Sequence, residues 1–180
     1  MLREIGYNTT NVEAPWAGAE NNLARGLNAW TRMQIGRDRE IAVRAAVVVC
    51  ALVADKYTAD RDGLPPRSYI DDMLARVRAW LDEPGRESAD RVRSFLDVTR
   101  NAHAWQQEEH EDASFWILDA VDHASLAVWS GERASYIVPL DYATCAGRSV
   151  ACVFHAMLHA GTSEDAAVSA IVDAVAIAAG

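Results

Sequence analysis

Cysteine, lysine and long apolar runs are scarce in this 180-residue chain. Its three cysteines are an odd number, which favours reduced thiols in a cytoplasmic protein over a disulfide framework. The longest apolar run, residues 41–54, is interrupted by Arg44 and is too short to span a bilayer. The first residues contain no apolar core of signal-peptide length. We therefore expect neither a disulfide-stapled secreted domain nor a membrane-spanning helix.

Motifs that mark common enzyme classes are missing as well. The chain has no GxSxG, P-loop, GxGxxG or HExxH sequence, and no nucleophilic cysteine motif. A general base needs a substrate pocket and a reacting group within reach, and no motif in the chain supplies them. The sequence therefore predicts a non-catalytic protein without a cofactor.

Alanine, by contrast, is abundant, with 33 residues against ten glycines and five prolines. This bias favours closely packed helices, and apolar residues recur at helical spacing along most of the chain. The sequence predicts an all-α, single-domain bundle of about seven helices, preceded by an irregular N-terminal arm over residues 1–18. The predicted helices span residues 19–33, 38–57, 67–83, 88–107, 115–129, 141–160 and 164–178.

The predicted helix Phe115–Trp129 is central because its apolar positions form one face and its polar positions another. Asp119 and His123 lie one turn apart on the polar face, together with Asp122. We expect this face to look toward solvent or a neighbouring molecule. A carboxylate beside an imidazole could also form an acid–base pair, with the carboxylate raising the pKa of the ring.

Charge is distributed unevenly along the chain. The 17 basic and 26 acidic residues give a net charge of −9, all of it carried by residues 101–180, where Arg133 and Arg148 are the only basic residues. Such a half repels nucleic acid and anionic membranes and attracts a basic partner. The alternative is an acidic surface that only maintains solubility.

The acids are densest just before the central helix, where two tryptophans flank them. Aromatic side chains beside carboxylates could anchor a protein interface, and the alternative is a solvated corner between two helices. The predicted partner-binding residues are Trp105, Glu108, Glu109, Glu111, Asp112 and Trp116.

The sixth predicted helix carries a stripe of potential metal ligands at steps of three and four residues. His155 and His159 are spaced so that one metal ion could bind between them, with Cys152, His103, His123 or Asp119 completing the set. Cys145 and Arg148 continue the stripe. Cys145 is about 21 Å from His159 along a helix and cannot share one ion with it. The alternative is a half-buried stripe of hydrogen-bonded histidines and inert thiols.

Several segments together resemble the Imm-5-like immunity proteins of bacterial toxin systems. They are the alanine-rich helix AVRAAVVVCALVADKY, the loop with Pro65 and Pro66, the segment Val77–Leu81 and the helix DAVDHASLAVW. The resemblance covers about residues 39–160 and implies an all-α fold without catalysis that neutralises a toxin by binding it. It implies no motif residues. The denser acids around residues 108–112 and the longer N-terminal arm depart from the family pattern.

Together these observations predict a cytoplasmic helical protein that binds a protein partner, such as a basic toxin domain, through its acidic half. A bundle that binds a metal or small ligand at His155 and His159 is the first alternative. A homodimer that associates through an apolar helix face is the second.

Overall fold

The computed structural model describes residues 22–59, 64–102, 112–129 and 141–180. These residues form seven α-helices and one short 3-10 helix, and the described ranges contain no strand, which confirms the predicted all-α bundle. The predicted arm over residues 1–18 lies outside them. The helices are α1 (Asn22–Ile35), α2 (Arg39–Ala51), α3 (Arg67–Asp82), α4 (Arg86–Ala102), α5 (Ala113–Trp129), α6 (Tyr142–His159) and α7 (Glu164–Ala179).

Local sequence signals account for most helix ends. The Asp38 carboxylate accepts from the Ile41 amide at 3.0 Å and caps α2, and Asp141 caps α6 by accepting from the Thr144 amide at 2.6 Å. Ser163 caps α7 in the same way. Gly36 and Gly161 follow α1 and α6 with φ of 61° and 86°, a left-handed conformation that glycine adopts without strain.

The second helix is shorter than predicted. It ends at Ala51 instead of continuing to Tyr57, and after a tight turn the chain forms a 3-10 helix over Ala54–Lys56. Tertiary packing overrides the apolar pattern at this point, because Tyr57 is buried and its hydroxyl donates to the Pro65 carbonyl at 2.7 Å.

Helices α5 and α6 form the centre of the bundle. Helix α5 packs against α2, α3, α4 and α6, whereas α6 packs against α1, α2, α5 and α7. Helices α3 and α7 each bury an apolar stripe, to which the fully buried residues Ile70, Met73, Val77, Ile171 and Val175 belong. On α1, Leu27 is buried whereas Met33 is 68% exposed.

Small residues allow the helices to approach closely. Many buried core positions are alanines, and on α6 a Cβ atom added at Gly147 would lie 3.0 Å from the Asn28 backbone oxygen of α1. Within the described ranges, no helix has both the length and the apolarity needed to cross a membrane.

Candidate functional site

The start of α5 and the end of α6 meet at one end of the bundle. The Trp116 ring stacks on His155 with centroids 4.3 Å apart and 18° between the ring planes, and its centroid lies 6.5 Å from that of His159. Helix α7 begins at Glu164, shortly after α6 ends at His159, so its first turn lies at this same end. The start of α5 and the histidine pair of α6, which are far apart in sequence, are thereby brought together.

The chain after α2 reaches this end as well. The Thr58 amide donates to the Ser114 hydroxyl oxygen at 3.1 Å, and the two hydroxyl groups are 3.2 Å apart. Arg67 at the start of α3 donates to the Tyr57 carbonyl oxygen at 3.3 Å. We refer to the group Asp55, Asp112, Trp116, His155, His159, Glu164 and Asp165 as the acidic end.

Asp112 has a structural as well as an electrostatic role here. Its Oδ1 accepts from the Ser114 amide at 2.8 Å and from the Phe115 amide at 3.3 Å, so the carboxylate caps the positive N-terminus of α5. Burial raises the pKa of the neighbouring Tyr57 hydroxyl, and the negative charge of Asp112 raises it further. The first turn of α7 adds two more carboxylates, Glu164 and Asp165, at another helix N-terminus.

Basic side chains at this end are already paired with acids. Lys56 lies 3.5 Å from the Asp55 carboxylate, and Arg67 lies 3.4 Å from Asp71 within α3. In the ranges 112–129 and 141–180, Arg148 on α6 is the only lysine or arginine, against seven acids. The described part of the acidic half therefore retains a marked excess of negative charge.

The predicted partner-binding residues are only partly described. Asp112 and Trp116 lie at the acidic end, whereas Trp105, Glu108, Glu109 and Glu111 lie outside the described residues. Trp116 is half-buried, with one ring face in contact with the α6 histidines. It is thus held in place by the fold and keeps part of its surface accessible.

The histidines and cysteines of α6 occupy different environments. His155 is buried and its ring also meets the Phe154 ring edge-on at 6.0 Å, whereas His159 is exposed. Cys145 and Cys152 are buried free thiols. Among the described residues, no three histidine, cysteine or acidic side chains are arranged to hold a metal ion. His103, one of the predicted additional ligands, lies outside the described residues.

On α5, the predicted polar face is divided between two environments. His123 is half-buried, and its Nδ1 lies 2.8 Å from the Asp119 backbone carbonyl oxygen, one turn earlier. Asp122 contradicts the expectation that this face looks outward, because it is only 2% exposed and accepts from the Tyr69 hydroxyl at 2.7 Å. The reason is that α3 packs against α5 at this position and supplies the hydroxyl donor.

A second buried polar contact involves the Cys50 thiol of α2, and no pattern in the sequence predicts it. The Ser149 hydroxyl donates to the Ala120 carbonyl oxygen at 2.8 Å, so the Cys50 thiol, 3.3 Å away, is the donor to Ser149. Burial raises the pKa of Cys50 to about 12. Since the thiolate is the nucleophilic form, this environment suits packing and not catalysis.

The exposed large apolar side chains of the described residues belong to different elements. Among the described residues, Met33, Leu52, Val98 and Ile177 are exposed, and they belong to α1, the turn after α2, α4 and α7.

Comparison with known proteins found no matching family model, curated protein or solved structure.

Proposed function

We propose that this chain is a non-catalytic binding protein that captures a basic protein through the acidic end. The resemblance to Imm-5-like immunity proteins gives the proposal its specific form, in which the partner is a bacterial toxin domain neutralised in the cytoplasm. Binding alone is sufficient for this role, because covering a toxin's active surface requires no chemistry from the inhibitor.

One observation supports the proposal above all. Segments distant in sequence bring Asp112, Glu164 and Asp165 to one end of the bundle. In the sequence, Asp112 directly follows the run that contains Glu108, Glu109 and Glu111. Carboxylates on one surface produce a potential that accelerates encounter with a positively charged partner. The same potential repels the phosphates of nucleic acid and anionic lipid.

Trp116 gives this surface an anchor of a kind common in protein interfaces. Tryptophan is enriched among residues that dominate binding energy, because a large rigid ring loses little conformational entropy when it is covered. Trp116 is already fixed against His155 and is partly exposed, so its remaining surface can be covered at little further entropic cost. We expect it to lie near the centre of the interface, with the carboxylates around it.

The test is capture of a basic toxin domain encoded beside this gene, measured as a dissociation constant at low and physiological salt. Replacing Glu108, Glu109 and Glu111 with lysine should weaken capture by about tenfold or more and reduce its salt dependence, since each rim charge contributes up to about 1 kcal/mol. The matched control replaces three exposed acids of α3 and α4, Asp82, Glu83 and Asp90, with lysine.

Equal capture by the wild-type chain and the Glu108/Glu109/Glu111 variant would overturn the proposal, as would an equal loss in the control variant. Metal analysis of protein purified without a histidine tag distinguishes partner capture from the alternative function, which is metal binding. Stoichiometric metal that is lost on replacing His155 and His159 with alanine would favour a metal-binding protein instead.

A further inference from the structure

A shallow cleft of about 280 Å³ lies between α3 and α4. Ala75 and Ala79, one turn apart on α3, leave space there because their side chains are small. The cleft is lined by Asp72, Ala75, Arg76, Ala79, Ser88 and Arg91. It is therefore bordered by two arginines from facing helices, a combination that sequence spacing alone does not reveal.

The Arg76 side chain is oriented by aromatic contacts. Its guanidinium carbon lies 4.4 Å from the centroid of the Phe95 ring, and Phe95 stacks on Tyr69 with centroids 5.6 Å apart. Tyr69 is in turn fixed by its hydrogen bond to the buried Asp122 carboxylate. An arginine stacked on an aromatic face keeps its N–H groups available at the edge of the guanidinium plane.

Several arginines of α3 and α4 form ion pairs with carboxylates, and neither Arg76 nor Arg78 on α3 is among them. Four other arginines of α3 and α4 each pair with a carboxylate four residues away, namely Arg67, Arg86, Arg91 and Arg93. Arg76 forms no ion pair with a carboxylate among the described residues, although Asp72 precedes it by one turn. The Arg76 guanidinium lies over the Phe95 ring instead. A cation positioned by an aromatic ring thus borders the cleft, and the Asp72 carboxylate lines the same cleft without forming an ion pair with it.

We propose that this cleft binds an oxyanion, the phosphate or carboxylate group of a small molecule. Arg76 is the principal donor, because its planar guanidinium matches the paired oxygens of such a group. Arg91 adds positive charge from α4 while it remains 2.8 Å from Glu87. Asp72 opposes binding by repulsion and limits the affinity. The inference does not depend on capture of a basic protein at the acidic end.

The experiment follows backbone amide resonances of the full chain during titration with inorganic phosphate, and separately with acetate, at constant ionic strength. We expect saturable changes confined to α3 and α4. Arg76→Gln should weaken the apparent affinity for the anion by about fivefold or more, because it removes an attraction. Asp72→Asn should strengthen it about twofold, because it removes a repulsion. A stronger response to phosphate identifies a phosphorylated ligand, and a stronger response to acetate identifies a carboxylate.

Arg93→Gln is the control, because Arg93 also lies over an aromatic ring, Trp129 at 5.3 Å, and pairs with Asp97, but does not line the cleft. It should change the response less than twofold. An absence of saturation with both anions in the folded wild-type chain would overturn the proposal. So would an equal loss in Arg76→Gln and Arg93→Gln, which would indicate a general effect of charge.

Discussion

At the scale of single residues, the buried polar groups distinguish this core from a simple arrangement of apolar side chains. The Tyr69–Asp122 pair joins α3 to α5, and the hydrogen-bond chain from Cys50 through Ser149 to Ala120 joins α2, α6 and α5. A buried polar group without a partner costs about 1–3 kcal/mol. These bonds therefore favour one alignment of the central helices over others that would leave the same groups unpaired.

The buried thiol gives a prediction about alkaline pH. Folding raises the pKa of Cys50 from 9.0 to about 12, so the neutral thiol is favoured in the folded state. Its contribution to stability is complete below pH 9 and is lost as the pH rises toward 12. Relative to Cys50→Ala, the free energy of unfolding of the wild-type chain should fall about 1 kcal/mol more per pH unit across that interval.

Urea denaturation of both proteins between pH 8 and pH 11 measures this difference. The comparison with Cys50→Ala removes the contribution of every other titrating group, Tyr57 included, because those groups are common to both chains. Parallel stability curves for the two proteins would contradict the burial and hydrogen bonding assigned to Cys50.

At the scale of helices, α6 and α1 approach each other closely at Gly147. A Cβ atom there would lie 3.0 Å from the Asn28 backbone oxygen, which cannot move without displacing α1. We expect Gly147→Ala to destabilise the fold by about 1–2 kcal/mol, since overpacking typically costs 1–3 kcal/mol and alanine recovers up to 1 kcal/mol of helix propensity.

Thermal or denaturant unfolding measures the effect, and Gly85→Ala supplies the control. A Cβ at Gly85 meets only the Ser88 hydroxyl oxygen at 3.9 Å, an ordinary contact, so that variant should keep or slightly gain stability. A Gly147→Ala protein as stable as Gly85→Ala would show that α1 and α6 are not in close contact at this position.

Sequence signals predict individual helices better than their mutual positions. Apolar residues at helical spacing predict the ranges of α3 and α7 closely, 67–83 and 164–178 against Arg67–Asp82 and Glu164–Ala179 in the structure. The early end of α2 could not be predicted, because it depends on the bond from Tyr57 to Pro65 across the next loop. Asp122 was misplaced for the same reason, since its hydroxyl donor comes from another helix.

At the scale of the whole molecule, the arrangement of helices brings acidic residues from separate parts of the sequence to one end of the bundle. The sequence indicates that the C-terminal half is acidic and that acids cluster before α5. It does not indicate that the first turn of α7 lies at the same end as the start of α5. That relation follows from the contacts of Trp116 with His155 and His159 on α6, together with the short connection to α7.

The central claim is that acids from separate segments act as one binding surface. The most direct measurement is the dissociation constant of the basic partner for Glu164→Gln/Asp165→Asn, two substitutions on α7 remote in sequence from the run at residues 108–112. Neutral side chains avoid placing positive charge at the N-terminus of α7. An Asp82→Asn/Glu83→Gln variant, altered at the end of α3, is the matched control.

We predict that the α7 variant binds the partner about three- to tenfold more weakly than the wild type at low salt, and that this difference shrinks at high salt. The control variant should bind within about twofold of the wild type. Wild-type affinity in the α7 variant, together with a large loss in the Glu108/Glu109/Glu111 variant, would contradict the account. It would mean that the acidic run acts alone and that the end of the bundle is not a single interface.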